Sequence, residues 1–114
     1  MGAGQVGNAP APAFEMKPTV FAPPARAEFD AAAEWYESHA EGLGEKFIHC
    51  VDEVVGRIQE SPTGFPMWDR DRRFRKAIAR RFPYLVFYRE LPDCIEVTAV
   101  AHGAREPGYW LRRK

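Results

Sequence analysis

Tyr84-Leu-Val-Phe-Tyr-Arg-Glu90, the link Leu91-Pro-Asp93, and Cys94-Ile-Glu-Val-Thr-Ala-Val-Ala-His102 together decide the fold. In the first run Tyr84, Val86 and Tyr88 alternate with Leu85, Phe87 and Arg89. A period of two is what a strand gives when its faces meet different surroundings. In the second run Ile95, Val97, Ala99 and Ala101 alternate with Glu96, Thr98, Val100 and His102, which predicts that the first four share one face. Pro92-Asp93 is turn chemistry, since proline presets φ and aspartate bonds to nearby backbone. So short a link joins the two strands antiparallel. Upstream, Phe74 to Arg81 mixes Ala77, Ile78 and Ala79 with basic residues and reads as a third strand, completing a meander.

Toward the N-terminus the period becomes helical. Leu43, Phe47, Val51, Val54 and Ile58 step by four, four, three and four, predicting an amphipathic helix from about Gly44 to Glu60 that Ser61-Pro62 ends. Phe29, Ala32, Ala33 and Tyr36 predict an earlier helix from about Pro24 to His39. Proline suits its first turn, where a missing N–H had no partner. Glu28 and Asp30 fall in or near that turn, where the helix dipole favours acids. Gly42-Leu-Gly44 breaks the two helices into an antiparallel hairpin. Lys17 to Ala22 reads as a short first strand. The order is β-α-α-β-β-β, an α+β fold with a helical hairpin packed on a mainly antiparallel sheet.

Residues 1–15, rich in Gly and Pro, are expected to form a flexible tail, with the domain over 16–114. Gly2-Ala-Gly4-Gln-Val-Gly7 spells G-x-G-x-x-G, but no strand precedes it and prolines follow, so it is not a nucleotide loop. At 114 residues and 46% hydrophobic content the chain fits one small core. No apolar run approaches the roughly 20 residues of a membrane span, and no secretory signal opens the chain, so the expectation is a cytoplasmic protein without a membrane partner. Two cysteines, Cys50 and Cys94, make no disulfide framework. His39, His49, Cys50 and His102 show no i, i+4 pairing, so no metal is expected, and no cofactor motif appears.

Net charge is zero but divided. From Arg26 to Glu60 nine acids face three bases, a balance of −6. From Met67 to Lys114 twelve bases face six acids, a balance of +6. The basic half invites an anionic partner surface. Its densest stretch is Arg70 to Lys76, flanked by Trp68 and Phe74, a composition that suits phosphates, an acidic protein segment or plain solvated surface.

Ala33-Glu-Trp-Tyr36-Glu, Gly42-Leu-Gly44-Glu-Lys-Phe47, Arg80-Arg-Phe-Pro83-Tyr84 with Tyr88-Arg89, and Ala99-Val-Ala-His102-Gly-Ala-Arg105-Glu-Pro107-Gly-Tyr109-Trp110 follow one another in this order. With the element order, they resemble the ParE/RelE toxin superfamily, most closely its ParE-like branch of plasmid stabilisation proteins. The resemblance implies a toxin neutralised by a cognate antitoxin that covers hairpin and sheet surfaces. RelE-like members cut mRNA in the ribosome; ParE-like members poison DNA gyrase. Of the positions that RelE chemistry uses, Lys76 and Tyr109 are kept, while Ile78, Leu85 and Gly103 replace cations.

The resemblance therefore implies gyrase inhibition by protein–protein contact, with Arg73, Arg75, Lys76, Arg80, Arg81, Arg89 and Trp110 as residues that bind target or antitoxin. The alternative is a ribosome-dependent endoribonuclease acting on mRNA through His102, Arg105 and Tyr109, histidine being suited to proton transfer near neutral pH. No acidic counterpart to His102 stands out in the sequence. On the blander reading, His102 hydrogen-bonds at a strand end and Tyr109-Trp110 closes the sheet as an aromatic clasp. A second alternative is an inactive relative that only binds an antitoxin.

Overall fold

The computed structural model describes residues 16–106 and 108–112. The expected tail over 1–15 and the last residues of the charged C-terminus lie outside them.

The chain runs β1 (Thr19–Phe21), α1 (Pro23–His39), α2 (Leu43–Glu60), β2 (Met67–Trp68), β3 (Asp71–Ile78), β4 (Tyr84–Glu90), β5 (Ile95–His102) and a 3₁₀ turn (Tyr109–Arg112). The sheet order is β1-β5-β4-β3-β2, with β1 parallel to β5 and the other pairs antiparallel. This is the α+β hairpin-on-sheet architecture that the periodicities predict. Among the described residues no helix is long and apolar enough to cross a membrane.

Pro23 and Pro24 open α1, which lets it start one residue early. Glu28 consequently lies beyond the first turn, and its carboxylate is used elsewhere than at the helix dipole, a correction to the expectation above. The hairpin is fastened by Glu37 of α1. Its carboxylate accepts the N–H groups of Gly42 at 3.0 and 3.1 Å and of Gly44 at 3.0 Å, satisfying donors that begin α2. Gly42 takes φ +85° there. Gly44 must remain glycine for a different reason: a Cβ would lie 2.6 Å from the Ala33 carbonyl oxygen.

One face of the sheet receives the hairpin. Phe29, Phe47, Val51, Val54 and Ile58 from the helices pack on Val86, Tyr88, Ile95, Val97 and Val100. The other face carries a smaller cluster: Trp68, Phe74, Phe87, Ala99, Ala101 and Trp110.

The strand parity of β5 differs from its sequence pattern. Tyr88 pairs with Val97, but Phe87 pairs with Ala99, so Thr98 is an extra residue in a β-bulge. The bulge exchanges the faces. Ile95 and Val97 join Val100 on the helix side, whereas Ala99 and Ala101 turn to the other cluster. β3 spans Asp71–Ile78 rather than Phe74 to Arg81, because Ala79 already closes the next turn by donating to the Tyr84 carbonyl at 3.0 Å. β2 escapes a period-based reading because two residues hold no period.

Candidate functional site

The bulge at Thr98 has a consequence at the end of β5. His102, opposite Tyr84, lies on the helix side, beside α1. From α1, Glu28, Ala32 and Trp35 follow at i, i+4 and i+7, a stripe along the helix flank that faces the strand ends. Between these elements opens a groove of about 610 Å³. Its walls are mostly apolar or aromatic: Ala31, Ala32, Trp35, Tyr36, Pro83, Tyr84 and Val100, with Glu28, His102 and Arg105 at its polar end. Trp35 is 56% exposed there and lies against His39, ring centroids 3.9 Å apart.

Glu28 ties the polar end together. One carboxylate oxygen accepts the Val100 backbone N–H at 3.0 Å, two residues past the bulged Thr98. The other accepts a short hydrogen bond from the Tyr109 hydroxyl and lies 3.6 Å from Arg105. Arg105 in turn lies over the Tyr109 ring, 3.6 Å from its centroid. Glu28 is an acid that lines the same groove as His102. The signal was there, as an acid at i relative to Ala32 and Trp35 on a half-buried stripe, but only tertiary contact shows what it meets.

His102, Arg105 and Tyr109 thus come to one place, though differently engaged. His102 Nδ1 accepts the Ala104 N–H at 3.0 Å, and its ring meets Tyr84 edge-on at 5.2 Å. In the neutral ring the proton then sits on Nε2. Burial pushes the Tyr84 phenol above its ordinary value, reinforced by Tyr36 and Glu28, and burial alone raises Tyr36. Both phenols therefore stay protonated around neutral pH.

The basic residues singled out for binding do not converge. Arg73 pairs with Asp71 at 2.5 Å, and this hydrogen-bonded guanidinium holds the Asp71 carboxyl down at about 2. Arg75 donates to the Phe65 carbonyl at 2.6 Å, tying β3 to the loop after α2. Arg89 bonds Glu96 across the β4–β5 pair at 2.8 Å. Lys76 is the exception: it lines a cavity of about 100 Å³ beneath the C-terminal segment, whose walls also include His102, Arg105, Tyr109 and Trp110 and which shares His102 and Arg105 with the groove. Arg80 and Arg81 are exposed on the β3–β4 turn and, among the described residues, form no ion pair. Trp110 is only 3% exposed, packed between Phe74, Phe87 and Trp68, so it closes the sheet rather than offering a contact surface. Among the described residues no three His, Cys, Asp or Glu side chains converge as a metal set would require.

Comparison with known proteins points in one direction. The family model described as the ParE toxin of the type II toxin-antitoxin system parDE matches residues 19–107. The chain is similar to toxin ParE2 of Mycobacterium tuberculosis, 29% identical over 80 residues that span 69% of this chain and 73% of that protein. Among solved structures it is similar to a chain of the chromosomal ParDE TA system from P. aeruginosa, with a TM-score of 0.58. The match covers 76% of this chain and 96% of that one at 19% identity, a likeness of fold.

Proposed function

The chain belongs to the ParE toxin family of type II toxin–antitoxin systems, and on that premise we propose that a cognate antitoxin neutralises it and that, once released, it inhibits DNA gyrase by protein–protein contact. The observation that carries this reading is the state of the groove: its apolar wall is open, while its titratable groups are already engaged in holding the fold. RNA cleavage by acid–base chemistry needs a base with an available lone pair and an acid of suitable pKa. His102 spends its Nδ1 lone pair on Ala104, leaving an N–H donor on Nε2. Glu28 meets Val100, Tyr109 and Arg105 at once. An open aromatic wall with occupied ionisable groups suits a docking surface. On this reading the chain acts in the cytoplasm, where it would meet both antitoxin and gyrase.

Glu28, His102 and Arg105 line the groove, and Tyr109, bonded to Glu28, lines the adjoining cavity with His102, Arg105 and Lys76; this gathering favours a second reading, an mRNA endonuclease in which Glu28 supplies the missing carboxylate. The two readings separate in one pair of assays. The purified chain is incubated with gyrase, relaxed plasmid and ATP, and separately with translating ribosomes. The expected outcome is blocked supercoiling, reversed by the antitoxin, with intact mRNA. Codon-boundary cuts without gyrase inhibition would replace the first reading by the second. Antitoxin binding with neither effect would mark an inactive relative.

A further inference from the structure

We propose that Arg105 is a carboxylate receptor in an antitoxin-docking groove: it takes an Asp or Glu side chain of an acidic antitoxin segment whose apolar anchor seats against Trp35, Tyr36 and Tyr84. This deepens the reading above and rests on it.

The first ground is the state of the guanidinium. Arg105 is 55% exposed at its side chain and forms one ion pair among the described residues, with Glu28. Its nearest carboxylate oxygen, on Glu28, is at 3.6 Å, beyond a hydrogen bond. The Tyr109 ring lies 3.6 Å beneath it. Stacking covers the face of a guanidinium, whereas its N–H donors lie in the plane and are left for a bidentate acceptor. Glu28 holds Tyr109 by its hydroxyl, so the platform under Arg105 is itself fixed. A donor fork held in place before binding loses little rotamer freedom on binding.

The second ground is the neighbourhood. Beside Arg105 the groove continues along α1 as an apolar wall with Trp35 exposed. An aromatic wall next to one preorganised arginine calls for an apolar side chain next to one carboxylate. Arg80 and Arg81, exposed on the turn that leads to Pro83, add attraction for an acidic segment. Charge count argues against a nucleic acid strand. Along the apolar wall itself Arg105 is the one permanent cation among the described lining residues, and Glu28 opposes it with a carboxylate; Lys76, on the adjoining cavity, and Arg80 and Arg81, on the turn, would draw either kind of anion but do not line that wall. A strand brings one phosphate per nucleotide, and its affinity grows with the number of phosphates neutralised.

The test measures the dissociation constant of the full chain with its cognate antitoxin at physiological salt, for wild type, Arg105→Lys, Trp35→Ala and the surface control Arg72→Lys, with circular dichroism and thermal melts confirming each fold. Lysine keeps the charge but neither forks nor stacks, so Arg105→Lys should weaken binding at least tenfold. Trp35→Ala should do likewise, and Arg72→Lys should leave binding unchanged. Replacing each antitoxin acid by Ala should reveal one whose loss costs wild type tenfold and Arg105→Lys nothing further, the signature of a direct pair. Wild-type affinity in both Arg105→Lys and Trp35→Ala overturns the inference while leaving the antitoxin reading intact. A wild-type chain that ignores the antitoxin overturns that reading and the inference with it. A single-stranded RNA oligonucleotide bound by wild type and lost by Arg105→Lys overturns it in favour of phosphate recognition.

Discussion

The two faces of the sheet are built on different plans. The helix side is a broad core, in which helices of 17 and 18 residues lay Phe47, Val51, Val54 and Ile58 across Val86, Ile95 and Val97. The opposite side rests on a handful of large rings, Trp68 from the two-residue edge strand, Phe74, Phe87 and Trp110, closed by one 3₁₀ turn. Aromatic side chains bury much area per residue, which is how so short a cover can be held at all. The difference teaches where function can sit. The helix side supplies the stability of the domain. The thinly covered side mounts a C-terminal segment that Glu28 fastens back to the helices, and the groove opens along that seam.

Core truncation on each face measures the contrast. Phe47 is fully buried and touches Phe29, Tyr36, Phe82 and Tyr84, so Phe47→Ala should cost about 3–5 kcal/mol of global stability in urea unfolding. Trp110→Ala removes a larger ring, yet it lies in the smaller cluster and is carried by a single 3₁₀ turn. Its cost should fall below the lower bound of about 3 kcal/mol for buried aromatic truncation, with faster amide exchange confined to residues 103–112. Equal and equally global losses would show that the two faces are not separable.

The same contrast explains what the sequence discloses. The helix stripe from Leu43 to Ile58 and the alternation from Tyr84 to Glu90 are periodic because each meets one continuous core, so hairpin and meander are legible. The exchange of faces at Thr98 is not, because a bulge inserts one residue without marking it by a Gly or Pro. Trp110 reads either as a contact residue or as part of an aromatic clasp, and its packing against Phe74 and Phe87 decides for the clasp. Of the site, His102, Arg105 and Tyr109 are legible from the matched C-terminal motif. Glu28 is not, since its partners lie 72 and 81 residues away.

Glu28→Gln tests the fastening between the faces with a smaller change. The amide keeps an acceptor for the Val100 N–H but loses the charge that holds Tyr109 and Arg105. The expected cost is about 1.5–3 kcal/mol, the range for a hydrogen bond to a charged group. Amide exchange should accelerate from Gly103 to Leu111 while Val86 and Val97 keep their protection. Unchanged exchange in that segment would mean that the aromatic cluster alone holds it.

Tyr88 offers the finest probe, because it lies wholly in the helix-side core and still carries a titratable hydroxyl. That hydroxyl donates to the Pro62 carbonyl at 2.6 Å, pinning the loop after α2 to β4. Burial pushes its pKa up to about 12, with Arg75 pulling it down and Glu90 raising it. An unfolded tyrosine ionises near 10, so the folded state holds its proton more tightly. The stabilisation is complete below about pH 10 and is lost as pH rises through about 12. Tyr88→Phe should cost about 0.5–1.5 kcal/mol at neutral pH, the worth of one buried hydrogen bond. Between pH 10 and 12 the variant should lose less stability than the parent, since the group that ionises on unfolding is gone. Parallel curves for the two chains across that window would place the alkaline transition elsewhere, with Tyr36 and Tyr84, both raised by burial, as the next phenols to remove.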